Sequence, residues 1–143
     1  MKNIIITSLL ALAACAPLDD DFAFDRHGDT RNDATPMYRG GTERGALQTG
    51  NDQDYFIAPE AGPSGFVRWR VAASEEPLVF TFWVETELGA VNYFGTQSVF
   101  PGESSSDYVN LGDNIVNTGI LVWSQYGDPG AEYTVRLEQV VSQ

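Results

Sequence analysis

The stretch from residue 78 to residue 84 constrains the fold most strongly, because all of its side chains except Thr81 are apolar or aromatic. Alternate positions of a β-strand face opposite sides of its sheet. One face would carry Leu78, Phe80, Phe82 and Val84, and the other Val79, Thr81 and Trp83. Both faces need cover, which is typical of a central strand in two packed sheets.

The rest of the chain repeats this signal in shorter segments. Residues 66–72 alternate between apolar and polar side chains, as a half-buried strand does. About eight such segments occur at roughly ten-residue spacing, separated by turns rich in Gly, Pro, Asn and Asp. We expect a hairpin around Gly95-Thr96 and a serine-rich loop over residues 101–107. The pattern predicts an all-β protein, an antiparallel β-sandwich.

The first fifteen residues have the character of a secretion signal. Lys2 precedes an apolar stretch over residues 4–12, which is too short to remain as a membrane-spanning helix. The residues Leu12-Ala13-Ala14-Cys15 resemble the lipobox of bacterial lipoproteins. That resemblance implies cleavage before Cys15, a lipid on its thiol and, with Ala16 rather than Asp next, sorting to the outer membrane. The alternative is an ordinary signal in which Cys15 is a spare small residue.

Composition then divides the chain into three parts. Residues 1–14 form the signal peptide, residues 15–37 an acidic flexible tether, and residues 38–143 the β domain. The tether is rich in Asp and holds too few apolar side chains to offset the entropy of ordering it. His27 lies in this part, and without a second His or Cys nearby it is not expected to bind a transition metal.

Charge and residue content argue against several functions. The formal net charge is −12, whereas nucleic-acid binding needs a basic surface. The acidity also leaves the lipid at Cys15 as the expected membrane attachment. With one histidine in the tether and Cys15 acylated, a nucleophile–histidine pair is not expected. Glu85 and Glu87 share a face but should form a solvated pair rather than a general acid and base. The sequence therefore predicts a protein without enzymatic activity.

Calcium is the metal that the acidic residues favour. Asp52 and Asp54 lie two positions apart in a turn, and Asp113 and Asp128 lie in other loops. Ca²⁺ takes six to eight oxygen ligands, several of them carboxylates gathered from loops. Alternatively, Asp52 and Asp54 cap the turn through hydrogen bonds to the backbone, as Asp commonly does.

Aromatic side chains offer a second kind of site. Tyr126, at the edge of a loop, and Tyr93 are the candidates for stacking against a sugar ring. The three tryptophans, Trp69, Trp83 and Trp123, lie on alternating strand faces, so we expect them in the core.

Two stretches resemble a known family. Residues 45–56 run from a glycine-containing strand through Asp52-Gln53-Asp54-Tyr55-Phe56, and residues 118–135 contain a Thr-Gly-led strand, a glycine turn and a Tyr-Thr strand. Both resemble bacterial pre-peptidase C-terminal domains, over about residues 40–141. The resemblance implies a jelly-roll-like sandwich with an accessory, non-catalytic role, and some members of the family bind calcium.

These observations lead to one expected function and two alternatives. We expect an envelope lipoprotein, anchored by lipid, whose β-sandwich binds a glycan, a peptide or another envelope protein. The alternatives are a structural envelope component without a small ligand and a calcium-stabilised accessory domain.

Overall fold

A computed structural model describes residues 27–127 and 129–142. They form one turn of 3-10 helix, Arg31–Asp33, and nine strands in two sheets. The strands are β1 (Thr35–Pro36), β2 (Thr42–Leu47), β3 (Gln53–Ile57), β4 (Phe66–Ala73), β5 (Leu78–Thr86), β6 (Val91–Val99), β7 (Ser104–Asn110), β8 (Ile115–Ser124) and β9 (Ala131–Val141). The sheet orders are β1-β3-β8-β5-β6 and β2-β9-β4-β7.

The strand order is that of a jelly roll. Strands β2 to β9 pair antiparallel throughout, four in each sheet. Successive strands lie in different sheets, except β5 and β6, which are neighbours in the five-stranded sheet. The short strand β1 is an addition and pairs parallel with β3. The prediction of an all-β, jelly-roll-like sandwich is confirmed.

The core lies between the two sheets and is built from inward-facing alternate residues. Its largest members include Trp69 and Tyr133 from the four-stranded sheet and Phe56, Phe80 and Phe82 from the five-stranded sheet. Residues 78–84 are buried on both faces, as their composition predicts. Burying this much aromatic and aliphatic surface is the main force that holds the sheets together.

A second apolar cluster covers the outer face of the five-stranded sheet. Tyr55, Trp83 and Leu121 are buried there, with Ala34, Ile57 and Trp123 packed against them at partial exposure. Trp69 and Trp83 are therefore buried as expected, but in different clusters, and Trp123 is only half-buried.

The packed part of the chain begins before Tyr38. His27 is buried, and its Nε2–H donates to the carbonyl oxygen of Arg44 at 2.8 Å. The imidazole also contacts the ring of Phe56, with the ring centroids 4.8 Å apart. Met37 is 2% exposed within the main core. The prediction of a flexible tether is thus wrong for residues 27–37, because the buried side chains of His27 and Met37 anchor this otherwise polar segment. Residues 15–26 lie outside the described part of the chain.

The region after Glu87 also differs from the prediction. Gly95-Thr96 is not a hairpin turn but a bulge within the single strand β6, opposite Thr81 of β5. Gly95 has a φ of 65°, and a Cβ there would lie 2.8 Å from the ring of Phe82. Glycine is therefore required for the bulge, not for a chain reversal. Most of the predicted serine-rich loop, from Ser104 onward, is strand β7, whose backbone pairs with β4.

In the described part of the chain, no helix is both long enough and apolar enough to cross a bilayer.

Candidate functional site: an acidic corner and an aromatic sheet face

Three carboxylates meet at the start of β3. Asp29, Asp52 and Asp54 each place an oxygen within 4.8 Å of the others. Asp29 arrives from the N-terminal segment, which is held to β3 by a hydrogen bond of 2.9 Å from the Tyr55 N–H to the Gly28 carbonyl oxygen. We call these three residues the acidic corner.

Hydrogen bonds already position two of these carboxylates. The carboxylate of Asp52 accepts from the backbone N–H groups of Gln48, at 2.5 Å, and Gln53, at 3.0 Å. Asp54 is completely buried and accepts a hydrogen bond from the Tyr133 hydroxyl. The turn-capping role is therefore present at Asp52. Because each carboxylate oxygen has two acceptor positions, capping leaves Asp52 further capacity for a ligand.

Asp113, another aspartate of the predicted calcium set, does not belong to this corner. Asp113 precedes β8 and accepts a hydrogen bond from the Ser64 hydroxyl, whereas Asp52 lies beside the end of β8, where Gln53 pairs with Trp123. At roughly 3.3 Å per residue, the length of β8 separates them by more than 20 Å. Asp128 lies outside the described residues. Asp29 was missed, because nothing in local spacing relates the N-terminal segment to β3.

The outer face of the five-stranded sheet presents aromatic rings near β6. Tyr93 is 50% exposed and lies beside Trp83, its partner on β5. The hydroxyl oxygens of Tyr93 and Tyr55 are 3.4 Å apart. Burial, reinforced by this hydrogen bond, raises the pKa of Tyr55 to about 12. Two hydroxyls also lie on this face, Thr81 and Thr96, with their oxygens 3.1 Å apart. We call Tyr55, Thr81, Trp83, Tyr93 and Thr96 the aromatic face.

Tyr126 belongs to a different surface. It is 68% exposed and lies two residues after Ser124, which pairs with Leu78 at one end of β5. Tyr93 pairs with Trp83, further along β5. At roughly 3.3 Å per residue the two tyrosines are separated by about 17 Å or more. The two predicted sugar-stacking residues are thus both exposed, but they do not form one platform.

An open hollow of about 400 Å³ lies between the turn at residues 50–53 and the end of β8. Its walls include Trp123, Asp52 and the side chain of Gln125. The hollow borders the acidic corner through Asp52.

The glutamate pair has the surroundings expected of a structural pair. Glu85 accepts a hydrogen bond of 2.9 Å from Asn117 Nδ2, and its carboxylate lies 3.8 Å from the guanidinium of Arg31. Glu87 is exposed at the end of β5. The two carboxylates do not share a closed apolar pocket, which acid–base catalysis would require to raise a pKa.

Comparison with known proteins adds one structural likeness. No protein-family model matches this sequence, and no curated protein matches it. Among solved structures, the chain is similar to the pre-peptidase C-terminal domain of a collagenase from Bacillus anthracis. The identity is 14% and the TM-score 0.48, over 73% of this chain and 93% of that one. The assignment of a jelly-roll sandwich rests on the strand order of this chain itself.

Proposed function

We propose that this protein is an envelope lipoprotein, anchored through a lipid on Cys15, whose β-sandwich is a non-catalytic binding module. The anchor follows from the lipobox-like residues 12–15. The aromatic face is the observation that carries the binding role. A half-exposed tyrosine supported by a buried tryptophan provides a flat apolar surface, and the adjacent threonine hydroxyls can donate and accept hydrogen bonds.

A glycan is the ligand that this combination fits best. The C–H-rich face of a sugar ring stacks on an aromatic ring, and its hydroxyls bond to polar groups at the rim of the site. The Tyr55–Tyr93 hydroxyl contact restricts the movement of the Tyr93 ring, so less conformational entropy is lost when a ligand binds. A peptide or another envelope protein is the competing class of ligand.

The test is titration with soluble oligosaccharides prepared from the bacterial envelope, followed by tryptophan fluorescence, since Trp83 lies beside Tyr93. We expect Tyr93→Ala to weaken binding at least about tenfold, as removal of a central aromatic contact commonly does. Tyr38→Ala is the matched control, because Tyr38 is exposed to a similar degree, at 57%, but lies outside the five-stranded sheet. Equal affinity of the Tyr93→Ala variant and the wild type would exclude the aromatic face as the site.

The acidic corner favours calcium as a second element of the function. Its ligands would be carboxylate oxygens from Asp29, Asp52 and Asp54, which suit a hard cation. Asp29 comes from the N-terminal segment and the other two from the start of β3, so a bound ion would join these parts. The expected consequence is a more stable sandwich rather than catalysis.

Calcium titration with thermal unfolding tests this proposal. An ion that binds only the folded state adds about 2.7 kcal/mol at one hundred times its Kd, which would raise the Tm by several degrees. Asp29→Asn should reduce this increase, because it removes one of the three carboxylates of the corner. Asp113→Asn, at the other end of β8, should leave it unchanged. An unchanged Tm at millimolar calcium would contradict the proposal.

A further inference from the structure

Strand β6 is an unusual sheet edge. It pairs with β5 on one side, and no strand of the described chain pairs with it on the other. Five consecutive residues, 92–96, are exposed. Edges of this kind normally carry charged side chains, proline or a bulge, which discourage pairing with another chain, and of these β6 has the bulge at residues 95–96. The edge strand β2, for example, carries Glu43 and Arg44.

By contrast, β6 and its flanks carry no charge. There is no charged residue between Glu87 and Glu103, in a chain of which 20% is charged and whose net charge is −12. Several large apolar side chains are also exposed here: Leu88 at 96%, Tyr93 at 50%, Phe94 at 39% and Phe100 at 50%. The β6 edge is therefore a neutral, apolar strip on an acidic molecule.

We propose that the β6 edge pairs antiparallel with the β6 edge of a second copy of this chain, which joins two five-stranded sheets into one of ten strands. Two copies of so acidic a chain repel one another over most of their surfaces. Strand β6 itself brings no charge to such a contact, and the carboxylate of Asp107 beside it accepts a hydrogen bond of 3.0 Å from Gln97 Nε2. A twofold interface must also be self-complementary, and identical antiparallel strands satisfy this requirement through their backbone hydrogen bonds.

The directions in which the β6 side chains point limit the register of the two paired β6 strands. Tyr93 and Ser98 face outward, with Tyr55 and Val79 respectively on their side of the sheet, whereas Phe94 packs on Phe82 and Val99 is buried. The bulge at Gly95-Thr96 interrupts the alternation between them. Side chains opposite one another in a sheet share a face, so strands paired across the bulge can have their twofold axis on either side of Gly95, next to Phe94 or next to Thr96. With the axis next to Thr96, Tyr93 of one copy lies beside Ser98 of the other.

This arrangement goes beyond the proposed binding role. A twofold axis perpendicular to the sheet turns both outer faces to the same side. The two aromatic faces would then lie next to each other, and a dimer could hold two units of one polymeric ligand, with the gain in apparent affinity that bivalency brings.

The experiment is sedimentation of the mature chain from residue 15, with Cys15→Ser to prevent disulfide dimers. We expect a concentration-dependent monomer–dimer equilibrium that shifts toward dimer as salt screens the net charge. Replacing two exposed residues of β6, Asn92→Lys with Ser98→Lys, should give monomer at all of the concentrations used. The matched control is Ser104→Lys with Asn110→Lys on the other edge strand β7, both also exposed, which should still dimerise.

Two results would overturn the proposal: a wild-type chain that is monomeric throughout, or a dimer that the β6 lysines leave intact. Hydrogen exchange provides a measurement that does not depend on the variants. Amides of β6 in the wild type should become more protected as the protein concentration rises, and unchanged protection in a dimeric sample would place the interface elsewhere. Oligosaccharide titration of the monomeric variant separates this proposal from the binding role, since one aromatic face remains in each monomer.

Discussion

Tyr55 shows how one residue links the N-terminal segment to the sheet. Its backbone N–H donates to Gly28, its ring lies in the outer cluster with Trp83 and Leu121, and its hydroxyl meets that of Tyr93. Because the ring is buried, the neutral form of the side chain is strongly preferred, which is the reason for its raised pKa. One residue thus supports the acidic corner through its backbone and the aromatic face through its side chain.

A dependence of stability on alkaline pH follows. The pKa of Tyr55 is about 12 in the folded chain and about 10 when unfolded. The contribution of neutral Tyr55 is therefore fully present below pH 10 and is lost as the pH rises through 12. We expect the free energy of unfolding, measured in urea, to fall over this range in the wild type. It should fall less in Tyr55→Phe, which cannot ionise; identical pH profiles would refute this role.

At the scale of elements, the strands that sequence predicts well are those with one clear pattern. Residues 66–72 and 78–84 were predicted by alternation and by continuous apolar character, and both are strands. The proximity of Asp52 and Asp54 could be predicted because they lie two positions apart in the sequence. Asp29, His27 and β1 were not predictable in this way, because their contacts with β3 and Arg44 join parts of the chain that no short-range pattern relates. The predicted hairpin at Gly95 was wrong for a different reason, because glycine is equally suited to bulges and to turns.

The segment that carries β1 should contribute measurably to stability. Met37 directly follows β1 and is 2% exposed in the core. Met37→Ala should therefore lower the free energy of unfolding by about 2–5 kcal/mol through lost burial and the cavity left behind. Tyr38→Ala, one position further along and 57% exposed, should change it by only about 0.5 kcal/mol. Equal effects in chemical denaturation would mean that the segment is not held as the structure places it.

At the scale of the whole molecule, the net charge and the single cysteine bear on the proposed membrane attachment. The chain has one cysteine, Cys15, and a net charge of −12. A surface this acidic is repelled by anionic lipid headgroups, so a covalent lipid would be the principal membrane attachment. The sandwich and its anchor would then be separable by a single substitution.

Cell fractionation tests this separation. Cys15→Ala should move the protein from the membrane fraction to the soluble envelope fraction and abolish incorporation of labelled palmitate. Thr49→Ala, a substitution in the exposed turn after β2, should leave both unchanged. Retention of the Cys15→Ala protein in membranes would refute the lipobox interpretation.

The early start of the packed domain also limits how far it can reach. With His27 fixed against Arg44 and the core, residues 16–26 would be the connection between the fold and the proposed lipid on Cys15. A fully extended chain of this length spans at most about 40 Å, at roughly 3.6 Å per residue. The short tether would keep the domain close to the bilayer surface, so it could reach only ligands near the membrane. The domain could not contact a target whose distance from the membrane exceeds the length of this tether plus one domain diameter.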